Sequence, residues 1–290
     1  MALGWILRRC KYYVLINAFI CGVAYTSLEI AALGARSSAE WLAIYGATLL
    51  RIAAMVLWFE WIATLKDKIY GHKRHVLSAT ERRGLYYRIL LVVVPMECLT
   101  YWLAVPNSDQ VDTEINGARV YDAQAPARTA WLYEFVWFIP QSLAFELVFD
   151  FFHFTAHWIC HQSTWLYQHV HKRHHMHLHP CPLSTYEQDG FDLLLTNVLP
   201  FVAASKLTFA VSPWQFHLLL AYKSYVEVAG HSGLDIKGYS FPQLPMLSSL
   251  SICLRVHDHD VHHTHPKWNF AKRFAVWDKL FGTFRPATTN

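Results

Sequence analysis

The chain has 290 residues, of which 54% are hydrophobic, 16% aromatic and only 16% charged, with a formal charge of +4. A soluble domain carries about a quarter charged residues, so this balance excludes an ordinary soluble protein as well as a disordered one. The small charge makes no case for nucleic acid, and six cysteines scattered singly without a CxxC exclude a disulfide scaffold and read as reduced thiols.

A helix that crosses a bilayer needs about 20 mostly apolar residues. Four stretches in the first half meet that condition: 12–35, 41–65, 85–105 and 131–152, the last interrupted by Pro140. Arg8, Arg9 and Lys11 precede the first, which is longer than a secretory signal core and is followed by three more, so a retained span is expected. Basic residues gather before the first span and between the second and third (Lys66, Lys68, Lys73, Arg74, Arg82, Arg83). Asp109, Asp112, Glu114 and Asp122 dominate the loop between the third and fourth. Basic loops stay in the cytosol, so the fourth span returns to that side. A further apolar block, 191–229, is broken by Pro200, Lys206 and Ser212-Pro213 and reads as a helical hairpin that either spans or dips into the leaflet.

Histidine is the anomaly: eighteen residues, sixteen of them from His153 onward. His157 and His161 form an HxxxH, and residues four apart share a helical face. His171, His174 and His175 form an HxxHH, and His259, His262 and His263 form a second; on a helix each would present three rings on one face. A lone His231 stands in Gly230-His-Ser-Gly233. Imidazole is a common ligand of first-row transition metals and is neutral near pH 7. Nine rings are too many for one ion and suit two, and a nitrogen-rich, thiolate-free set fits redox-active iron better than structural zinc. Asp150, Asp258, Asp260 and Glu227 are candidates to bond the second ring nitrogen of a ligand. His72 and His75 read as surface charge, and His153, His169, His217 and His257 as packing or supporting groups.

These residues also carry a resemblance. Asp150-x6-His157-x3-His161, the run from Trp165 to His175, Gly230-His-Ser-Gly233, and His259-Asp-Val-His-His263 followed by Trp277-Asp-Lys-Leu-Phe-Gly-Thr283 resemble the boxes and closing signature of the sterol desaturase/fatty acid hydroxylase superfamily. The resemblance covers the carboxy-terminal half. It implies a membrane monooxygenase of lipid biosynthesis or sterol metabolism, with a di-iron centre, O2, and electrons from NAD(P)H through a reductase and cytochrome b5. The reaction would be hydroxylation, desaturation or demethylation of a sterol or long-chain lipid, in the endoplasmic reticulum with the site facing the cytosol. The ligand role carries onto His157, His161, His171, His174, His175, His231, His259, His262 and His263. Two departures stand out: Trp158 replaces the usual arginine after the first box histidine, and Tyr186, Glu187, Gln188 and Asp189 fill a region where many members have another histidine. His179 and Glu227 are the candidates for a tenth ligand, with Asp150 as a supporting group.

The expected fold is therefore all-α: a multi-pass membrane helical bundle of about four transmembrane helices capped by a cytosolic histidine-rich helical metal domain. The resemblance divides it into a membrane region, 1–152, and a di-iron catalytic region, 153–290, that includes the hairpin at 191–229. The alternatives are a squalene-type epoxidase on the same scaffold, a zinc-dependent membrane lipid hydrolase and a metal transporter. A hydrolase would leave half of the histidines idle. Transport ligands should lie inside the spans, whereas these lie at helix ends.

Overall fold

The computed structural model describes residues 2–35, 39–69, 73–105, 128–236 and 239–287. Two earlier readings, the acidic loop at 109–122 and His72, lie outside the described residues.

Long apolar runs fold as helices because a chain in lipid must satisfy its backbone hydrogen bonds internally. Helices α1 (Ala2–Ala35) and α2 (Glu40–Leu65) form an antiparallel pair. A capping box of Ser78 and Glu81 starts α3 (Ala79–Arg88), which passes through a π-helical turn, Ile89–Val93, into α4 (Val94–Ala104). Helix α5 (Arg128–Gln162) runs unbroken for 35 residues, carrying Pro140 inside it and the HxxxH at its end. A single turn, α6 (Thr164–Leu166), leads into the second box. The 191–229 block forms the expected hairpin. Its first arm is α7 (Gly190–Leu193), a π turn (Leu194–Val198) and α8 (Leu199–Leu207); its second is α9 (Pro213–His231), opened by Ser212, Pro213 and Gln215 in a second capping box. Short helices α10 (Val256–Thr264) and α11 (Ala275–Leu280) complete the chain.

Among the described residues five helices are long and apolar enough to cross a membrane, the fifth in chain order being Gly190–Leu207 in the hairpin. Helix α9 is enclosed: every residue from Trp214 to His231 is buried, and it packs on α1, α2 and α5. One apolar cluster runs from Ile20 through Phe59 and Phe149 to Tyr225 and joins the spans to α9.

The charges inside this bundle are paired, as burial requires. Lys223 Nζ reaches Glu97 Oε1 at 2.6 Å and Glu227 Oε1 at 3.0 Å, and Arg273 Nε reaches Glu146 Oε2 at 2.6 Å. Arg51, 1% exposed, donates to Ser224 Oγ and lies 3.7 Å from Glu97. These pairs account for the acidic residues set into the apolar runs at Glu97 and Glu146.

Candidate metal centre

The ends of α5 and α9, the second box and α10 meet at one end of the bundle. Nine histidines converge there in two groups: His157, His161, His171, His175 and His262 in one, and His174, His231, His259 and His263 in the other. Within each group the potential ligand atoms lie within 4.8 Å of one another. The groups adjoin, with the rings of His175 and His263 4.9 Å apart.

The HxxHH boxes do not behave as one-face triplets. Around the second box the backbone passes from a π turn, Tyr167–His171, into a 3-10 turn, His174–Met176, so His171 and His175 join one group and His174 the other. In α10, His259 and His263 stay together while His262 points to the opposite group. The helical reason is simple: positions i and i+4 differ by about 40° around the axis, whereas i+3 falls on the other side of i. Each box thus feeds both groups.

The ring nitrogens away from the groups reveal the tautomers. A carbonyl oxygen can only accept, so a ring nitrogen bonded to one must carry the proton. His157 Nδ1 donates to the Phe270 carbonyl at 2.7 Å, His262 Nδ1 to that of Trp268 at 2.7 Å and His231 Nδ1 to that of Glu227 at 2.8 Å. His171 Nδ1 is held by Asp192 Oδ1 at 2.8 Å. In a neutral ring so tied, Nε2 keeps its lone pair and points into its group, where His259 Nε2 lies 3.0 Å from His231 Nε2 and His175 Nε2 3.2 Å from His171 Nε2. His157, His161 and His262 each bury an Nε2 with no hydrogen-bond partner. Converging unpaired acceptors are costly when buried, and a cation satisfies all of them together. The residues fit metal ions by this test.

Electrostatics agree. Burial pushes His262 down to about 3 and His231 down to about 4. Burial, reinforced by neighbouring rings, holds His174, His175, His259 and His263 well below the ordinary value. All are neutral at pH 7, the form that binds metal.

The candidate supporting carboxylates sit elsewhere than expected. Asp150 bonds no imidazole; its two oxygens accept the backbone N–H groups of Lys272, Arg273 and Phe274 at 2.7, 2.9 and 2.8 Å. Asp278, in the closing signature, accepts those of Phe270 and Ala271 at 2.8 and 3.0 Å. Between them the two carboxylates pin the 268–274 loop, whose carbonyls orient His157 and His262. Asp258 caps its own helix at Arg255 N. Glu227 supports His231 through its main-chain oxygen, while its carboxylate is taken by Lys223 and Lys272. His179 lies outside both groups, its Nδ1 3.6 Å from Asp260 Oδ2. Asp260 is instead clamped by Arg74 Nη2, whose Nη1 and Nε bond the carbonyls of Pro180 and Ile69. Arg74 therefore ties the α2–α3 loop to α10 and to the segment that follows the second box; a side chain at Gly233, where φ is +69°, would strike its guanidinium at 2.0 Å.

Asp192 and Arg74 were not singled out in the sequence as site residues. An isolated acid inside an apolar run is the signal that marks Asp192; nothing local marks Arg74 among the other basic residues of its loop.

Residues 142–283 match the family model of the fatty acid hydroxylases. The chain is 31% identical to fatty acid hydroxylase vlmA of Lecanicillium sp. over 157 residues, covering 51% of this chain and 42% of that protein. It is 31% identical to human cholesterol 25-hydroxylase over 144 residues (49% and 50%) and 27% identical to sphinganine C4-monooxygenase 1 of Arabidopsis thaliana over 170 residues (58% and 62%). The chain thus spans about half the length of the curated relatives it matches. No solved structure gives a significant match. The matched region contains every box and the closing signature, and over it the chain is similar to the fatty acid hydroxylases, in line with the resemblance of its boxes to the sterol desaturase/fatty acid hydroxylase superfamily.

Proposed function

We propose that the chain is a membrane di-iron oxygenase that hydroxylates a sterol or long-chain lipid. The observation that carries this reading is the pair of adjoining histidine groups with ring nitrogens turned inward, three of them buried without a partner. An unactivated C–H bond offers nothing to an acid, base or nucleophile, so its oxidation needs a metal that reduces oxygen. Bound iron would supply that redox chemistry; the protein supplies position, neutral ligands and a buried setting. The balance is R–H + O2 + two electrons + two protons giving R–OH + H2O.

In this reading His157, His161, His171, His175 and His262 hold one iron and His174, His231, His259 and His263 the other. Residues 153–290 form the catalytic region on a membrane region of 1–152. The site faces the cytosol, in the endoplasmic reticulum, where cytochrome b5 and its reductase deliver electrons from NAD(P)H. Hydroxylation is favoured over desaturation because the relatives are named as hydroxylases and a monooxygenase. Imidazole also suits zinc, so metal analysis of the purified chain comes first. Two irons per chain are expected, and a single zinc would favour a hydrolase. Expression in a sterol-producing host with mass-spectrometric lipid profiling then identifies the substrate as the lipid that gains one oxygen. An unchanged profile across sterols, sphingoid bases and acyl lipids would overturn the assignment.

A further inference from the structure

A small cavity opens against both histidine groups. His157, His171, His174, His231 and His259 form one wall, while Thr185, Gln188, Thr196, Glu227 and Lys272 belong to the other. It has room for about one water-sized molecule. At that size it has no room for a hydrocarbon chain.

Lys272 gives the cavity its character. The side chain is only 12% exposed, and its ammonium donates to Asn197 Oδ1 at 2.7 Å and to Glu227 Oε1 at 2.8 Å. An ammonium has three hydrogens; the third has no acceptor among the described residues. Glu227 borders the same space, but its Oε1 is shared with a second ammonium, Lys223, at 3.0 Å. Lys223 is also paired with Glu97, at 2.6 Å, so two cations and two carboxylates meet behind this wall, and Lys272 is the cation that borders the cavity. The opposite wall is built from neutral rings whose lone pairs suit cations. The asymmetry of the groups adds to this: the group that contributes His174, His231 and His259 to the wall has four rings where its neighbour has five.

We propose that this cavity is a binding site for a small anion of one or two heavy atoms, held between the histidine groups and the ammonium of Lys272. The assignment rests on the metal reading of the two groups. Lys272 supplies a charge-assisted hydrogen bond from the side away from the rings, and Gln188, which gives one amide hydrogen to Asp192, has a second to offer. In the proposed oxygenase, the same position would receive small oxygen species and exclude the lipid.

Fluoride is the probe, titrated calorimetrically into the detergent-solubilised full chain after its metal content has been measured. Wild-type protein with metal should bind fluoride at one site. Lys272→Met should weaken binding by about tenfold or more, the scale of one charge-assisted hydrogen bond, with metal content unchanged. Lys272→Arg, which keeps the charge, should stay within about threefold of wild type on the same scale. Equal fluoride affinity in Lys272→Met would overturn the proposal while leaving the metal reading intact. Loss of metal in that variant would also overturn it, making Lys272 a support of the fold. A wild-type chain that retains no metal would instead remove the metal reading on which the site depends.

Discussion

The two histidine groups are built by the same exchange. Each takes an i, i+4 pair from one HxxHH box and the i+3 ring from the other: His171 and His175 with His262, and His259 and His263 with His174. They differ in what completes them. The first adds His157 and His161 from α5, and three of its five rings have Nδ1 tied to Phe270, Asp192 or Trp268. The second adds only His231, and Nδ1 of His174 and His263 is buried with no partner. The five-ring group has three rings fixed by outer hydrogen bonds, although His175 Nδ1 is also buried without a partner, while the four-ring group has one such ring, His231, and provides three rings of the cavity wall. In the proposed centre this would divide the holding of metal from the exchange of ligands between the neighbouring groups.

Removing a ring from each group tests that division most severely. His262→Ala and His174→Ala should both abolish turnover. Inductively coupled plasma mass spectrometry should show the larger loss of metal in His262→Ala, because that ring is fixed by the Trp268 carbonyl and reaches the better-organised group. Equal retention of both ions in either variant would break the comparison. Next in size is the Arg74 clamp on Asp260 and the Pro180 carbonyl. Arg74→Ala leaves Asp260 buried without its cation, and breaking such a pair costs about 3–5 kcal/mol. A lowered midpoint in thermal unfolding is expected, with Arg74→Lys recovering part of it. An unchanged midpoint would mean that the α2–α3 loop does not brace α10.

Asp192→Asn probes the outer hydrogen bonds of the five-ring group alone. It should lower metal affinity about 10- to 100-fold, the usual effect of losing a ligand's supporting carboxylate, as measured by chelator competition. Acid affects both groups together. In the metal-free protein, an unfolded chain protonates its histidines below about pH 6.5, while burial keeps His231 neutral to about 4 and His262 to about 3. Stability is therefore complete above 6.5 and lost as pH falls through the window toward those values, at about 1.4 kcal/mol per pH unit for each such ring. Denaturation midpoints that stay flat from pH 7 to 5 would show that the rings are not buried in the metal-free state.

Much of this was legible because apolar runs and histidine spacing are local. The four early spans, the hairpin and all nine converging rings could be read from residue type and interval. The split of each box was not, since assigning His174 and His262 across groups depends on how a π turn and α10 are placed against α5. The supports were hidden for another reason: Phe270, Trp268 and Glu227 act through main-chain carbonyls, which no side chain advertises. Asp150 illustrates the limit. Its nearness in sequence to His157 is real, yet its carboxylate serves a loop more than a hundred residues away and orients His157 only through that loop.

The smallest effect is expected where histidine stands outside both groups. His75 stacks on His177 with ring centroids 5.0 Å apart and meets Glu81 at 2.8 Å, but its side chain is 47% exposed. A surface pair of this kind is worth about 0–1 kcal/mol. His75→Ala should therefore leave metal content and turnover within about fivefold of wild type, the most that so small a term is worth in any equilibrium. A large fall in metal content would mean that the chain binds its ions through a histidine-rich surface, and the distinction between the two buried groups would lose its physical basis.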